Sequence, residues 1–390
     1  MIKQIFSLAG YLAIKEIWRN RARFLLVSLV IALITLLVLF IAALGEGLGN
    51  GNREYISKLD AELIVYQAKS DFLISASRLG KNRLTEIRRL EGVADAGMLG
   101  TSSATIILPG DETLKVALLG VDPGHTGEPR VIQGSQLRSN TAKETIIDKN
   151  TALRSNISLG SIITIRVTQG TEDEFYDLRV IGIADGQQYS LQPSIFVPFS
   201  TWDKIRPKSE AEINISNPIP NILMVKLEDP ENIEQMSQVI TSRVKNVETA
   251  TIQEAIQALP GYSAQQSTLN TQGGFTLFIG ILVIGGFFQI QILQKVAQIG
   301  VLKAIGTANP IVAASSVIQI ILITIIGVAI GGLLTFLFSL SFPPTVPIVF
   351  NGTTSAIAIV ALLLIGPLGG LVSIRYAVRI EPLKALGLSS

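Results

Sequence analysis

The chain has 390 residues, 48% of them apolar, a mean hydropathy of +0.46 and only 16% charged side chains, against about a quarter in ordinary soluble proteins. The formal net charge is +2, with no cysteine and a single histidine. These counts exclude disulfides, thiolate chemistry and a histidine-rich metal site, and supply no basic surplus of the kind nucleic acid attracts.

In residues 1–23, Ile2, Ile5, Phe6, Ala9, Leu12 and Ala13 share one helical face, which predicts a short cytoplasmic amphipathic helix on membrane lipid, interrupted at Glu16. A helix needs about 20 apolar residues to cross hydrocarbon. Four runs meet that length, 24–44, 273–293, 311–340 and 354–374, and none contains Asp, Glu, Lys, Arg or His. The first is too long, and too far from the N-terminus, for a cleaved secretory signal and reads as a retained anchor. The absence of intramembrane ionisable groups argues against an ion-coupled transporter, which needs one to bind its ion. Gly327 and Gly331, and Gly366 and Gly370, have the spacing that lets helices approach closely. Pro367 is a candidate kink, and Gln289 and Gln291 are expected against a neighbouring helix.

Short loops rich in Lys and Arg stay in the cytoplasm. Lys3, Lys15, Arg19, Arg21 and Arg23 precede the first span, Lys295 and Lys303 lie in loop 294–310, and Arg375, Arg379 and Lys384 lie in tail 375–390. Only Glu16 and Glu381 oppose them, and loop 341–353 is uncharged. Both termini are therefore expected inside and residues 45–272 outside. Ten of the 32 basic and two of the 30 acidic residues are then cytoplasmic, so the outer segment keeps 22 and 28, a solvated acidic surface.

Within that segment, short apolar runs alternate with turn chemistry. Strands are predicted at Ala61–Gln67, Glu144–Ile147, Ser161–Val167, Leu178–Ile183 and Ser194–Val197, with a helix at Arg83–Leu90. Runs 104–108 and 114–121 flank Pro109-Gly110-Asp111 as a hairpin, and 222–227, 230–244 and 247–251 suggest a βαβ-type unit. The sum is a mixed α/β domain, open to division into two subdomains, with an all-β middle from about Lys115 to Phe199. His125 reads as a solvated turn residue and Glu172, Asp173 and Glu174 as a solvated loop. With no G-x-S-x-G elbow, the domain reads as a binding or transmitting module and not an enzyme.

The informative segment is loop 294–310. Val296, Ile299, Leu302 and Ile305 fall on one face of a short helix that has no core of its own to enter, so the stripe needs a partner or the membrane surface. The run Gln298-Ile299-Gly300-Val301-Leu302-Lys303-Ala304-Ile305-Gly306 and the tail motif Arg379-Ile380-Glu381-Pro382-Leu383 resemble the FtsX-like, MacB-type permeases of ABC transporters. So do Glu16-Ile17-Trp18-Arg19-Asn20-Arg21 and the order of one span, a large outer domain and three spans. Gln298 stands where that family most often has an acid.

The resemblance implies a membrane α-helical fold carrying a MacB-like periplasmic core domain in 45–272, in the bacterial cytoplasmic (inner) membrane. It also implies that loop 294–310 is a coupling element docking on a separate ABC ATPase. The permease would work as a homodimer or heterodimer, with room for a periplasmic adaptor protein. No G-x-x-x-x-G-K-[ST] loop occurs, so ATP and Mg are expected on the partner ATPase and no cofactor on this chain. The implied role is a half-size permease, with the DevC-like exporters as a candidate branch. It would turn ATP hydrolysis into work outside the membrane, exporting or extracting a hydrophobic or amphipathic substrate. The alternative is a membrane-anchored regulator or sensor/adaptor, such as a cell-division FtsX-like signalling protein. Because the chain lacks cysteine, topology is directly testable: single cysteines at Ser103 and Thr307 should label from opposite sides of intact cells, Ser103 from outside.

Overall fold

The computed structural model describes residues 2–110, 112–210, 219–342 and 346–379, without the side chains of 2–8, 81 and 376. It divides into two compact units, Met1–Gly47 with Ser267–Ser390, and Leu48–Gln266. The chain opens with α1 (Ile2–Arg19) and α2 (Arg21–Ser57), the latter running well beyond the apolar stretch that predicts its span.

The outer unit continues through β1 (Leu63–Gln67), α3 (Lys81–Arg88), β2 (Val93–Ile107), β3 (Thr113–Val121), β4 (Val131–Gly134), β5 (Glu144–Asp148) and α4 (Lys149–Ser155). Then come β6 (Ile162–Gln169), β7 (Glu172–Ala184), β8 (Ser194–Pro198), α5 (Phe199–Ile205), β9 (Ile222–Leu227), α6 (Ile233–Arg243), β10 (Val247–Thr251) and α7 (Ile252–Gln257). All ten strands join one sheet, in the order β10-β1-β9-β2-β3-β8-β5-β7-β4, with β6 bridging β2 and β7. The ring β2-β3-β8-β5-β7-β6 therefore closes on itself, which leaves those strands no free edge.

Sheet order refines the βαβ expectation. β9 and β10 both pair antiparallel to β1, so the two strands joined by α6 are parallel to each other with β1 inserted between them. The sheet is buried on both faces. Leu63, Val65, Leu223 and Val225 enter one core, while Ile64, Tyr66, Ile222 and Met224 enter the other. Strands covered on both sides read as continuous apolar runs, which is why these were visible in the sequence. Tyr55 and Ile56, at the outer end of α2, and Ala255 of α7 cover the second face.

Two expectations are corrected here. The middle segment is not all-β, because α4 lies within it: Asp148 caps that helix by accepting from Thr151 N (2.5 Å) and also accepts from Ser194 N (3.0 Å). The acidic run 172–174 is not a loop but the first turnward part of β7, paired with Val167–Gln169 of β6. β2 is also far longer than its predicted half-hairpin, because Gly97, Gly100 and three serine or threonine residues dilute the apolar signal of its first part. Gly100 and Gly120 face each other across β2 and β3, and the Trp202 ring of α5 fills the space above both.

The membrane unit adds α8 (Tyr262–Gln294), α9 (Val296–Ala304), α10 (Asn309–Ser339) and α11 (Gly352–Arg379). Helices α2, α8, α10 and α11 are each long and apolar enough to cross a membrane, and α11 runs through Pro367 without ending. Their shared core includes Phe24, Ile31, Ile284, Phe288, Ile320, Ile323 and Leu362. The small residues sit where helices touch. A Cβ at Gly331 would lie 2.5 Å from Ala32 O and from Thr35 Cβ, and one at Gly366 would lie 2.0 Å from Thr324 Oγ1. Gly285 and Gly369 oppose each other in the same way.

Helix α1 packs on α10 through a stripe that includes the fully buried Ala9 and Ala13. That stripe therefore faces protein, while Ile2, Ile5 and Phe6 lie outside the described side chains. The exposed apolar face of α1 is instead Tyr11, Ile14 and Trp18, three residues at helical spacing. Gly331→Val should cost about 1–3 kcal/mol by overpacking and lower the melting temperature of the detergent-solubilised chain. Gly332→Val, whose Cβ meets nothing closer than 4.0 Å, should leave it nearly unchanged.

Candidate functional site

The loop singled out by its sequence forms α9, separated from α8 only by Lys295. Its C-terminus is a closed cap. Gly306 takes φ +100, its N–H donates to Lys303 O (3.0 Å), and Thr307 N–H donates to Leu302 O (3.0 Å). That double bond pattern requires a left-handed residue, which glycine adopts without a Cβ clash. Pro310 then opens α10 in its first turn.

Ile299 is buried, 7% exposed, and packs with Ile292, Val312 and Ala377 of the chain itself. It is the anchor of α9, with Gly300 buried beside it. The apolar surface that α9 leaves open consists of Val301 (42% exposed), Leu302 (38%) and Ile305 (78%). Gln298 and Ala304 are exposed as well, and Val296 is half-buried. The three-residue stripe read from the sequence is thus split between an internal anchor and an outward face.

A buried ionic cluster sets the helix in place. The Lys295 ammonium pairs with Glu16 of α1, lies 5.5 Å from the centre of the Phe24 ring, and is only 11% exposed. The other Glu16 oxygen accepts from Gln319 Nε2 of α10 at 2.6 Å. A residue that looked like a flaw in an amphipathic stripe thereby ties α1, the start of α9 and α10 together. Lys303 is partly buried and donates to Val378 O of α11 at 2.6 Å. Burial lowers its pKa from the usual lysine value. Arg379 is exposed at the end of α11, whereas Glu381, Pro382 and Leu383 lie outside the described residues.

Sequence reasoning missed Glu16 and Gln319 because their partners are about 280 and 300 residues away along the chain. The only available signal was a lone acid in a basic segment. Gln291 is buried and Gln289 half-buried in α8, and Gln291 Nε2 and Gln289 Oε1 have no hydrogen-bond partner among the described residues.

The outer unit offers less chemistry. No group of three or more His, Cys, Asp or Glu that could hold a metal occurs among the described residues. His125 is not simply solvated: its Nδ1 lies 2.9 Å from Asp95 Oδ1, while Asp95 Oδ2 accepts from Thr126 N (2.7 Å) and Thr126 Oγ1 (2.9 Å). Burial opposes the Asp95 charge, but those hydrogen bonds outweigh it and hold the carboxyl below its usual range. The cluster pins the 123–127 turn against β2, a structural task.

Four spans, a large outer α/β domain and a short capped helix joining the second and third spans define the permease subunit of an ABC transporter. Residues 24–243 match the MacB-like periplasmic core domain family and residues 271–382 the FtsX-like permease C-terminal family. A hemin transport system permease, HrtB, of Staphylococcus haemolyticus is 24% identical over 96% of this chain and 99% of its own. Its Staphylococcus epidermidis counterpart is 26% identical over the same shares. The periplasmic region of MacB from Actinobacillus actinomycetemcomitans superposes on 53% of this chain and 94% of its own, at 14% identity and a TM-score of 0.36. The chain belongs to the FtsX-like, MacB-type permeases of ABC transporters.

The ionic cluster predicts its own energetics. Removing one partner of a mostly buried pair costs about 3 kcal/mol, because the other charge stays desolvated. Lys295→Met should therefore destabilise the solubilised chain strongly. Combining it with Glu16→Gln should recover much of that loss, read as a positive coupling in a double-mutant cycle of thermal unfolding.

Proposed function

We propose that this chain is the permease of an ABC exporter that works as a dimer with a separate ATPase, which holds the ATP and Mg. Both termini lie in the cytoplasm in this reading, and α9 is the element the ATPase grips. The observation that carries it is the division of labour in α9. Ile299, the Lys295 pair and the Gly306 cap hold the helix in place, while Val301, Leu302 and Ile305 present an exposed apolar face among the described residues. A rigid helix with a small apolar face can transmit a push, because little of the motion is lost in bending.

The substrate class is a hydrophobic or amphipathic molecule handled at the outer side, and hemin is the leading candidate. Support comes from the staphylococcal relatives named for hemin transport, which align with nearly the whole chain. Spans without an ionisable side chain offer a charged substrate no polar route between the helices. Work at the outer domain avoids that barrier.

Replacing Val301 and Ile305 together with Asp puts two charges into a contact that desolvates on docking, yet both positions are exposed in the chain alone. Because each unpaired buried charge costs several kcal/mol and about 1.4 kcal/mol is tenfold, the variant should fold normally but lose co-purification of its ATPase. Wild-type capture by the folded variant would exclude α9 as the coupling element. In cells lacking their own hemin exporters, the permease with its ATPase should raise hemin tolerance, and the double variant should not.

A further inference from the structure

Beside α9 lies a second feature, which shares only Leu302 with the face proposed for the ATPase. The ends of α1, α8 and α10, with α9, enclose a cavity of about 310 Å³. Its lining includes apolar Leu12, Ile292, Ile311 and Val312. It also includes Lys15 and Arg19 of α1, and Ser315 and Ser316 of α10, the Ser316 hydroxyl donating to Val312 O of its own helix (3.1 Å). Lys295 and Glu16 also line it, but they neutralise each other, and no other carboxylate among the described residues does. Lys15 reaches only Tyr11, its ammonium 3.3 Å from the hydroxyl, and neither Lys15 nor Arg19 has an acidic partner among the described residues. The cavity thus combines a net positive charge with apolar lining.

That pairing matches a molecule with an anionic head and a hydrocarbon body. The depth is also right. Tyr11, Ile14 and Trp18 form the exposed face of α1, and such aromatic-aliphatic stripes settle at the level of lipid headgroups. Basic pockets between membrane helices on the cytoplasmic side are places where anionic headgroups bind.

We propose that this cavity holds one anionic phospholipid of the inner leaflet. Lys15 and Arg19 grip its phosphate, the serine hydroxyls lie within the same hollow, and the glycerol and first acyl methylenes lie along Leu12, Ile292, Ile311 and Val312. The leaflet assigned here rests on the topology proposed above, whereas the binding measurement does not depend on it, nor on any ATPase. Failure of one reading therefore leaves the other standing.

The test uses the full-length chain in a delipidating detergent, with phosphatidylglycerol or phosphatidylcholine added and bound lipid counted by native mass spectrometry. One phosphatidylglycerol per chain should be retained at least about tenfold more tightly than phosphatidylcholine, as expected for two basic side chains at a headgroup. Lys15→Gln with Arg19→Gln should erase that preference. Arg21→Gln with Arg23→Gln, at exposed positions outside the cavity, should keep it. Ser316→Phe, which fills the cavity at unchanged charge, should also erase it. Equal losses from both pairs of basic residues, or undiminished selectivity in a folded Ser316→Phe chain, would reduce the effect to general surface attraction and overturn the proposal. Displacement of the lipid by millimolar glycerol 3-phosphate or inorganic phosphate would overturn it too, by assigning the site to a soluble phosphate. The Lys15 and Arg19 changes affect only exposed side chains, so they decide the matter if Ser316→Phe does not fold.

Discussion

Inside hydrocarbon a helix gains nothing by hiding apolar side chains from its solvent, so helices without charges must be held by close contact of their surfaces. In this chain the close approaches fall at glycines: Gly327 and Gly331 receive α2, Gly366 and Gly370 receive α10, and Gly285 meets Gly369. The positions of the loops follow from that packing. Val312 and Ala377, which embrace Ile299, are brought together only because α10 and α11 lie side by side. A coupling helix that must deliver force needs such a bed, and dispersion contacts of this kind are lost steeply with separation.

Charged side chains lie at the ends of the bundle, where water and headgroups lower their cost, and not within the four apolar runs. The Glu16, Lys295 and Gln319 cluster joins three elements at one point, with its partners satisfied by one another. Removing either Glu16 or Lys295 would leave the other as a desolvated charge, so the cluster is more a specifier of arrangement than a source of net stability. Beside it, Lys15 and Arg19 line a cavity with no acidic partner among the described residues. The same short stretch of α1 therefore supplies both an internal lock and an external electrostatic surface.

The outer unit solves a different problem. A sheet buried on both faces needs two cores, and the alternation of Leu63, Ile64, Val65 and Tyr66 supplies both from one strand. Closing β2 through β6 onto β7 removes free edges from that ring of strands. The Asp95, His125 and Thr126 cluster and the buried Asp148 cap are each accounted for by the turn or helix end they hold.

The sequence alone determined the class of this protein: four spans, one large α/β insertion and a short amphipathic helix between the second and third spans. Those features are local, because a run of about 20 apolar residues or a three-residue stripe is complete within its own segment. It also located the strands whose two faces are both buried. Tertiary structure decided what depends on distant partners. It showed that Ile299 is an anchor while Ile305 is outward, that Glu16 is a lock, that Lys303 is tied to Val378, and that Ala9 and Ala13 face protein. It also placed a helix in the supposed all-β middle and turned the acidic run 172–174 into a strand. The physical reason is that periodicity names a face of a helix but not what lies against it, and a charge reveals its role only when the opposite charge has been folded beside it.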